Sequence, residues 1–389
     1  MKKDYQTHVF TSTYTADVSG VCSAMYELGG MSVLHDPSGC NSTYSTHDEP
    51  RWFDSDSLMF VSGLDEITAV MGDDSVIIRD VKQAVEDLHP RFVTLCGASI
   101  PHIIAFDYRG VAHLMEEECG IPVLPVATDG LRSYISGADL AFSEWIRRFA
   151  DPAEHALAQD NTVNLLGVTP LDFSINGNVE ELRKTLEANG FTLNCCMAMG
   201  DSFDNLTHIY RAKCNLAVSS AGRKTAKMMK RMSAIPCVEG LPIGKDQTEN
   251  TVRALRMSME DGLDRKIWQT GETLIPSGTG CILVIGEEIF AKSLAGAINQ
   301  LPDEQRSGCT AKPMWPDVDE GIAEEDLLKA VDSSDSVVAD PLYKTAVRNK
   351  SVRFIPFPHE AYSGRIFRKD IPVFAGESFD TAAFIGNYI

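Results

Sequence analysis

The sequence is poor in positive charge. Thirty-five lysines and arginines stand against 55 aspartates and glutamates in 389 residues, a formal net charge of −20. Nucleic-acid and anionic-membrane binding both need clustered Lys and Arg, so neither partner is expected. The acidity itself reads either as plain solubility or as a docking surface for a basic partner. No run reaches the ~18 apolar residues that a membrane-spanning helix needs. The stretch from Met1 to His8 leads into no apolar segment, so a secretory signal is not expected and the chain is expected to be cytoplasmic. Paired Cys-x-x-Cys ligands of the zinc type, low-complexity linkers and internal repeats are also missing.

What is present is an ordinary globular composition, 44% hydrophobic and 23% charged, in a chain long enough for two to three domains. Strand and helix signals alternate. Strands are expected at Gly30–His35, Arg91–Leu95 and Val123–Val126, with helices at Val81–Leu88 and Tyr108–Glu118. A second unit has strands at Thr162–Val168, Phe191–Met197 and Leu216–Ser220. Its helices are Val179–Ala188, with Asn178 as N-cap and Glu181 completing a capping box, and Lys224–Met232. A third has strands at Cys281–Ile285, Ser336–Ala339 and Arg353–Pro356 and a helix at Glu287–Ile298. Such alternation predicts an α/β chain of three doubly wound, Rossmann-like parallel-sheet domains around a central cleft, at 1–155, 156–275 and 276–389.

Ten cysteines in a reducing compartment are better read as metal or redox groups than as disulfides, although any one of them can be a small buried hydrophobe. Cys195-Cys196 reads as core, and Cys119, Cys237, Cys281 and Cys309 have no motif around them. Cys22, Cys40 and Cys96 stand out by position. Cys96 is expected at the C-terminal end of a strand, where ligands of open parallel sheets bind, and Cys40 in a Gly-containing loop after another strand. Cys22 is expected at the start of a helix capped by Ser19, where the helix dipole favours a thiolate. Their wide spacing fits neither a zinc nor a ferredoxin pattern and suits thiolates brought together by a fold.

The residues around them carry a resemblance. His35-Asp36-Pro37-Ser38-Gly39-Cys40 resembles the His-Gly-Pro-x-Gly-Cys segment of the nitrogenase component 1 family. Gly20-Val21-Cys22 and Val93-Thr94-Leu95-Cys96-Gly97 resemble the settings of its first and third cysteines, and the run from Gly63 to Asp73 its intervening loop. Further on, Val163–Gly167 with Val179–Leu182, Ile235-Pro236 with Leu241–Gly244, and Arg353–His359 with Tyr362–Gly364 resemble stretches of its later domains. The resemblance implies an iron–sulfur cluster, four-iron or a larger shared one, held by Cys22, Cys40 and Cys96 at an interface with a homologous component 1 subunit. That subunit would be an identical chain or a paralogue. It also implies electrons delivered by an ATP-dependent iron protein. A fourth ligand could be the partner's, another cysteine, or an oxygen of Asp36 or Ser23.

The chain also departs from true nitrogenase α-subunits. Ser219 stands at the position matching the cysteine that anchors their large cofactor, and Pro358 at the anchoring histidine, with His359 one residue on. Reduction of N2 is therefore not expected. Candidate groups for a different substrate are Ser219, Arg223, His102, His359, Tyr362 and Arg365, since His and Tyr can deliver protons and Arg can hold a carboxylate. The expected function is the catalytic redox component of a nitrogenase-like two-component reductase. A scaffold for metal-cofactor assembly and a metal-free ligand-binding protein are the alternatives.

Overall fold

The computed structural model of the chain describes residues 15–39, 49–270, 280–316 and 323–387. Cys40 lies outside the described residues. The first sheet is built from β1 (Met31–His35), β2 (Leu58–Val61), β3 (Val93–Gly97) and β4 (Val123–Pro125), in the order β2-β1-β3-β4. The second contains β5 (Thr162–Leu166), β6 (Thr192–Cys196), β7 (Cys214–Ala217), β8 (Cys237–Glu239) and β9 (Arg265–Lys266), ordered β6-β5-β7-β8-β9. The third contains β10 (Gly280–Ile285), β11 (Cys309–Met314), β12 (Ser336–Ala339) and β13 (Arg353–Pro356), ordered β11-β10-β12-β13. Every pairing within these sheets is parallel. The chain is thus three parallel-sheet α/β domains.

Helices cross over the sheet faces for the expected reason. In the helix Ser75–Leu88, Ile77, Val81 and Val85 recur at helical spacing and are the buried residues. The helix Tyr108–Cys119 buries Tyr108, Val111, Ala112 and Met115 and stops at Gly120, whose φ of 69° only glycine adopts at no cost. Apolar runs of both helices meet Met31, Val33, Val93 and Leu95 in one core.

Strands β2, β8, β9 and β11 had no clear signal in the sequence. Three of the four are sheet edges, and β2 buries only Met59 while β11 carries Pro313, so the apolar density of a central strand is missing. Two local expectations are corrected. Asn178 is not an N-cap; Gly177 occupies that place, and Asn178 Oδ1 instead accepts from Phe374 N (2.8 Å) and Ala375 N (3.0 Å). The demand of the returning C-terminal segment outweighs the local capping pattern. Likewise Ser19 does not cap the first helix, α1 (Asp17–Met25); Ala16 precedes it, and Cys22 lies within the helix body.

Helix α1 is buried along its whole length. It lies against the helix Tyr134–Phe149 at backbone contact: a Cβ on Gly20 would fall 1.9 Å from Tyr134 O, and one on Gly137 1.8 Å from Asp17 O. Glycine is required at both points. The far face of Tyr134–Phe149 meets the second domain, where Asp139 accepts from Lys224 N (2.7 Å) and Thr225 N (2.9 Å) at the start of the helix Arg223–Ser233. Burial raises Asp139 to about 6 in spite of these donors. So α1 is fixed between the first sheet and the second domain.

Candidate metal centre and domain junction

Strand β3 carries Cys96 at its C-terminal end and α1 carries Cys22 across from it. Both are completely buried, and they are near enough for each to weigh on the other's ionisation. Cys96 Sγ otherwise makes only a long 3.8 Å contact with Val33 O among the described residues. Burial, then Cys96 and Glu49, push the Cys22 thiol well above its ordinary value. This is the reverse of the dipole-activated thiolate expected from the sequence. A thiolate at this position needs a neutralising cation, which iron supplies and water cannot. Among the described residues no group of three or more His, Cys, Asp or Glu is assembled for a metal; the third expected ligand, Cys40, is outside them.

The surroundings fit a bound group. Asp36 is buried at the end of β1's chain segment, with its N–H donating to Ser62 Oγ at 3.2 Å. His35 is buried against Phe106, ring centroids 4.2 Å apart, and burial lowers it to about 4. The hydroxyl of Tyr108 is buried and has no hydrogen-bond partner among the described residues. It lies over Gly97, on the face of β3 opposite to Cys96.

Arg51 locks α1 in place. Its guanidinium is buried and donates to Ser23 O (2.8 Å), Glu27 (2.7 Å), Glu49 (2.6 Å) and Ala198 O (2.6 Å). It also stacks on Tyr26 at 4.6 Å. Ser23 follows Cys22, and Ala198 belongs to the second domain, so one side chain ties the cysteine helix to both. Nothing in the sequence marked Arg51, because its partners are distant in the chain.

The substrate candidates divide. His102 and Arg365 are exposed. His359 and Tyr362 meet at the junction of the three domains, ring centroids 5.2 Å apart. His359 caps the helix Glu360–Phe367: its Nδ1 accepts from Ala361 N, which leaves the proton on Nε2, and that N–H faces Asp172 Oδ1 at 3.4 Å. Tyr134 OH donates to the same oxygen at 2.5 Å. The trio therefore joins one residue from each domain. Ser219 Oγ donates to Gly167 O at 2.7 Å and accepts from Ala221 N, so both of its roles are taken. Arg223 is paired with Glu239 (2.9 Å) and Glu288. Glu287, a residue sequence reasoning passed over, accepts from Ser220 N and Phe290 N, both at 2.9 Å. The cavity between Ser133, Ser220, Glu287 and Tyr362 holds only about 10 Å³, room for one water.

A rim of exposed apolar side chains surrounds the cysteine end of the first sheet. Ile67, Val70 and Met71 lie on the helix Glu66–Met71 after β2, and Ile103 on the helix Ser99–Ile103 after β3. Asp65, in the loop singled out in the sequence, caps the first of these through Ile67 N (2.9 Å) and Thr68 N (3.0 Å). Among the described residues no helix is long and apolar enough to cross a membrane.

Comparison with known proteins shows what the chain is similar to. A light-independent protochlorophyllide reductase chain of Pelodictyon phaeoclathratiforme is 27% identical over 255 residues, 64% of this chain and 45% of that protein. The nitrogenase molybdenum-iron protein alpha chain of Methanosarcina barkeri is 23% identical over 50% of this chain and 37% of its own length. The nitrogenase iron-molybdenum cofactor biosynthesis protein NifE of Sinorhizobium fredii is 24% identical over 56% of this chain and 44% of its own. The matched stretch is thus less than half of each relative. A solved structure, nitrogenase Cp1 at pH 6.5, superposes with a TM-score of 0.70 over 100% of this chain and 94% of that one at 14% identity, a likeness of fold. The sequence profile described as nitrogenase component 1 type oxidoreductase matches residues 19–276, and the chain belongs to that family.

Proposed function

We propose that this chain is the catalytic redox component of a nitrogenase-like two-component reductase in the cytoplasm. In this reading Cys22, Cys40 and Cys96 hold an iron–sulfur cluster, and its domains divide at 1–155, 156–275 and 276–389. The observation that carries it is the meeting of Cys22 and Cys96, two buried thiols with no other strong partner among the described residues, at the C-terminal end of a parallel sheet. When bound, the cluster supplies low-potential one-electron chemistry. The chain's own part is to bury the thiols, exclude water and fix α1 against β3 through Arg51. The apolar rim supports a cluster site closed by a homologous component 1 subunit, since solvent-facing Ile67, Val70, Met71 and Ile103 call for a cover. Electrons would come from an ATP-dependent iron protein.

The junction supports a substrate other than N2. Ser219 is spent on Gly167, and the small cavity beside Tyr362 has no room for a large metal cofactor. His359 and Tyr362, and Arg223 with its carboxylate partners, are the groups we assign to proton delivery and positioning. The test is turnover of the anaerobic chain with an iron protein, ATP and candidate acceptors. Iron protein-dependent reduction is expected; iron-loaded protein that only passes its metal cargo on to another protein would move the chain to the assembly-scaffold class, to which its NifE relatives belong.

A further inference from the structure

The helix Arg223–Ser233 carries the cations Arg223, Lys224, Lys227, Lys230 and Arg231 and no carboxylate. In a chain of net charge −20 this reverses the general balance. Arg223, Lys227 and Arg231 follow one another at i, i+4 spacing, so like charges stack along one face. That arrangement costs helix stability unless a counter-charge lies beside it. The same helix lines a groove of about 500 Å³ together with Arg265 and Lys266 of the edge strand β9. Six cations line the groove, namely Arg223, Lys227, Lys230, Arg231, Arg265 and Lys266, against only two carboxylates, Glu239 and Asp264. Glu239 and Lys266 are the last residues of β8 and β9, so the groove reaches the strand ends where open parallel sheets bind ligands.

Four of the cations are held in place. Arg223 pairs with Glu239 (2.9 Å) and Glu288, and Arg265 with both oxygens of Asp261. Lys230 donates to Gly262 O (2.6 Å), and Lys266 lies 3.5 Å from Glu239. Lys227 and Arg231 are exposed and have no ion pair or hydrogen bond among the described residues, so their charge is unspent. Range decides the size of the ligand. At physiological ionic strength charges act over about 8 Å, so an anion seated in the groove feels these cations together. A nucleic acid, an anionic membrane or an acidic protein would extend past them onto the surface of a strongly acidic chain. The volume of about 500 Å³ is also that of a small-molecule site.

We propose that this groove binds a small organic anion bearing two or more phosphate or carboxylate groups, with Lys227 and Arg231 as its free cations. Neither Cys22 nor Cys96 lines it, so the site does not rest on the cluster reading. The experiment is calorimetric titration of the full chain, purified without oxygen, with pyrophosphate and with citrate, at low and at physiological salt. Duplex DNA and phosphatidylserine vesicles are titrated alongside. The chain is compared as wild type, as Lys227→Gln/Arg231→Gln, as the charge-retaining Lys227→Arg/Arg231→Lys, and as Lys329→Gln at an exposed lysine of the third domain. One small anion is expected to bind per chain, more weakly as salt rises. Lys227→Gln/Arg231→Gln is expected to weaken it about a hundredfold, about tenfold per cation, with an unchanged melting temperature. The charge-retaining pair and Lys329→Gln are expected to bind as wild type does. Preference for pyrophosphate assigns the site to phosphates, and preference for citrate to carboxylates. No binding of either anion at low salt, or binding unmoved by Lys227→Gln/Arg231→Gln, overturns the proposal. Tighter binding of DNA or vesicles than of both small anions overturns it as well. An iron-free chain that still binds the anion overturns the cluster reading alone.

Discussion

The cysteine end of the first domain and the junction of the three domains differ in one respect. At the junction the candidate side chains are committed, although Ser133 Oγ, Ser220 Oγ and Asp172 Oδ2 beside them have no hydrogen-bond partner among the described residues. Ser219 is bonded to Gly167, Arg223 to two glutamates, and His359 to Ala361 and Asp172. At the cysteine end, among the described residues, the one hydrogen-bond contact of the two thiols is the long 3.8 Å approach of Cys96 Sγ to Val33 O. Unpartnered buried polar atoms thus stand in both regions, and what sets the cysteine end apart is a pair of completely buried thiols with no strong hydrogen bond among the described residues.

Substitutions can break this contrast. Cys22→Ser or Cys96→Ser is expected to abolish iron binding, since a serine oxygen is a poor ligand for iron in a thiolate site; iron and sulfide analysis of the anaerobic protein checks it. Arg51→Met leaves Glu49 buried beside Cys22 without its cation, and is expected to cost about 3–5 kcal/mol of stability by denaturant titration. His35 carries a pH signature. Burial lowers it from 6.5 to about 4, so its contribution is fully present above about 6.5 and is lost as pH falls toward 4. The apo chain should lose roughly 3 kcal/mol across that window, and His35→Gln should flatten the curve. At the junction, Ser219→Ala is expected to cost only about 1 kcal/mol and to leave iron content unchanged. A large loss of iron from Ser219→Ala would erase the distinction between the two regions.

Much of the fold was readable in the sequence. Val81 and Val85 at helical spacing, Gly120 at a helix end, and the apolar runs that became β1, β5, β10, β12 and β13 carry their structure locally. Edge strands such as β9 and β11 were not readable, because pairing rather than composition defines them. The site was half readable. That Cys96 ends a strand could be seen; that Cys22 lies mid-helix could not, because Ser19 offers a cap that the tight Gly20–Tyr134 contact overrides. Arg51, Asp172 and Tyr134 gave no signal, since each acts through partners brought near only by the fold. The one hint was Glu287, which begins a helix after Gly286 and was read only as a helix start.

The most direct test of the account is an anaerobic crystal structure with anomalous scattering measured at the iron edge. The account predicts an iron peak beside the sulfurs of Cys22 and Cys96, and none in the cavity by Tyr362. Ordered, iron-free thiols at Cys22 and Cys96 in protein kept from oxygen throughout would contradict it.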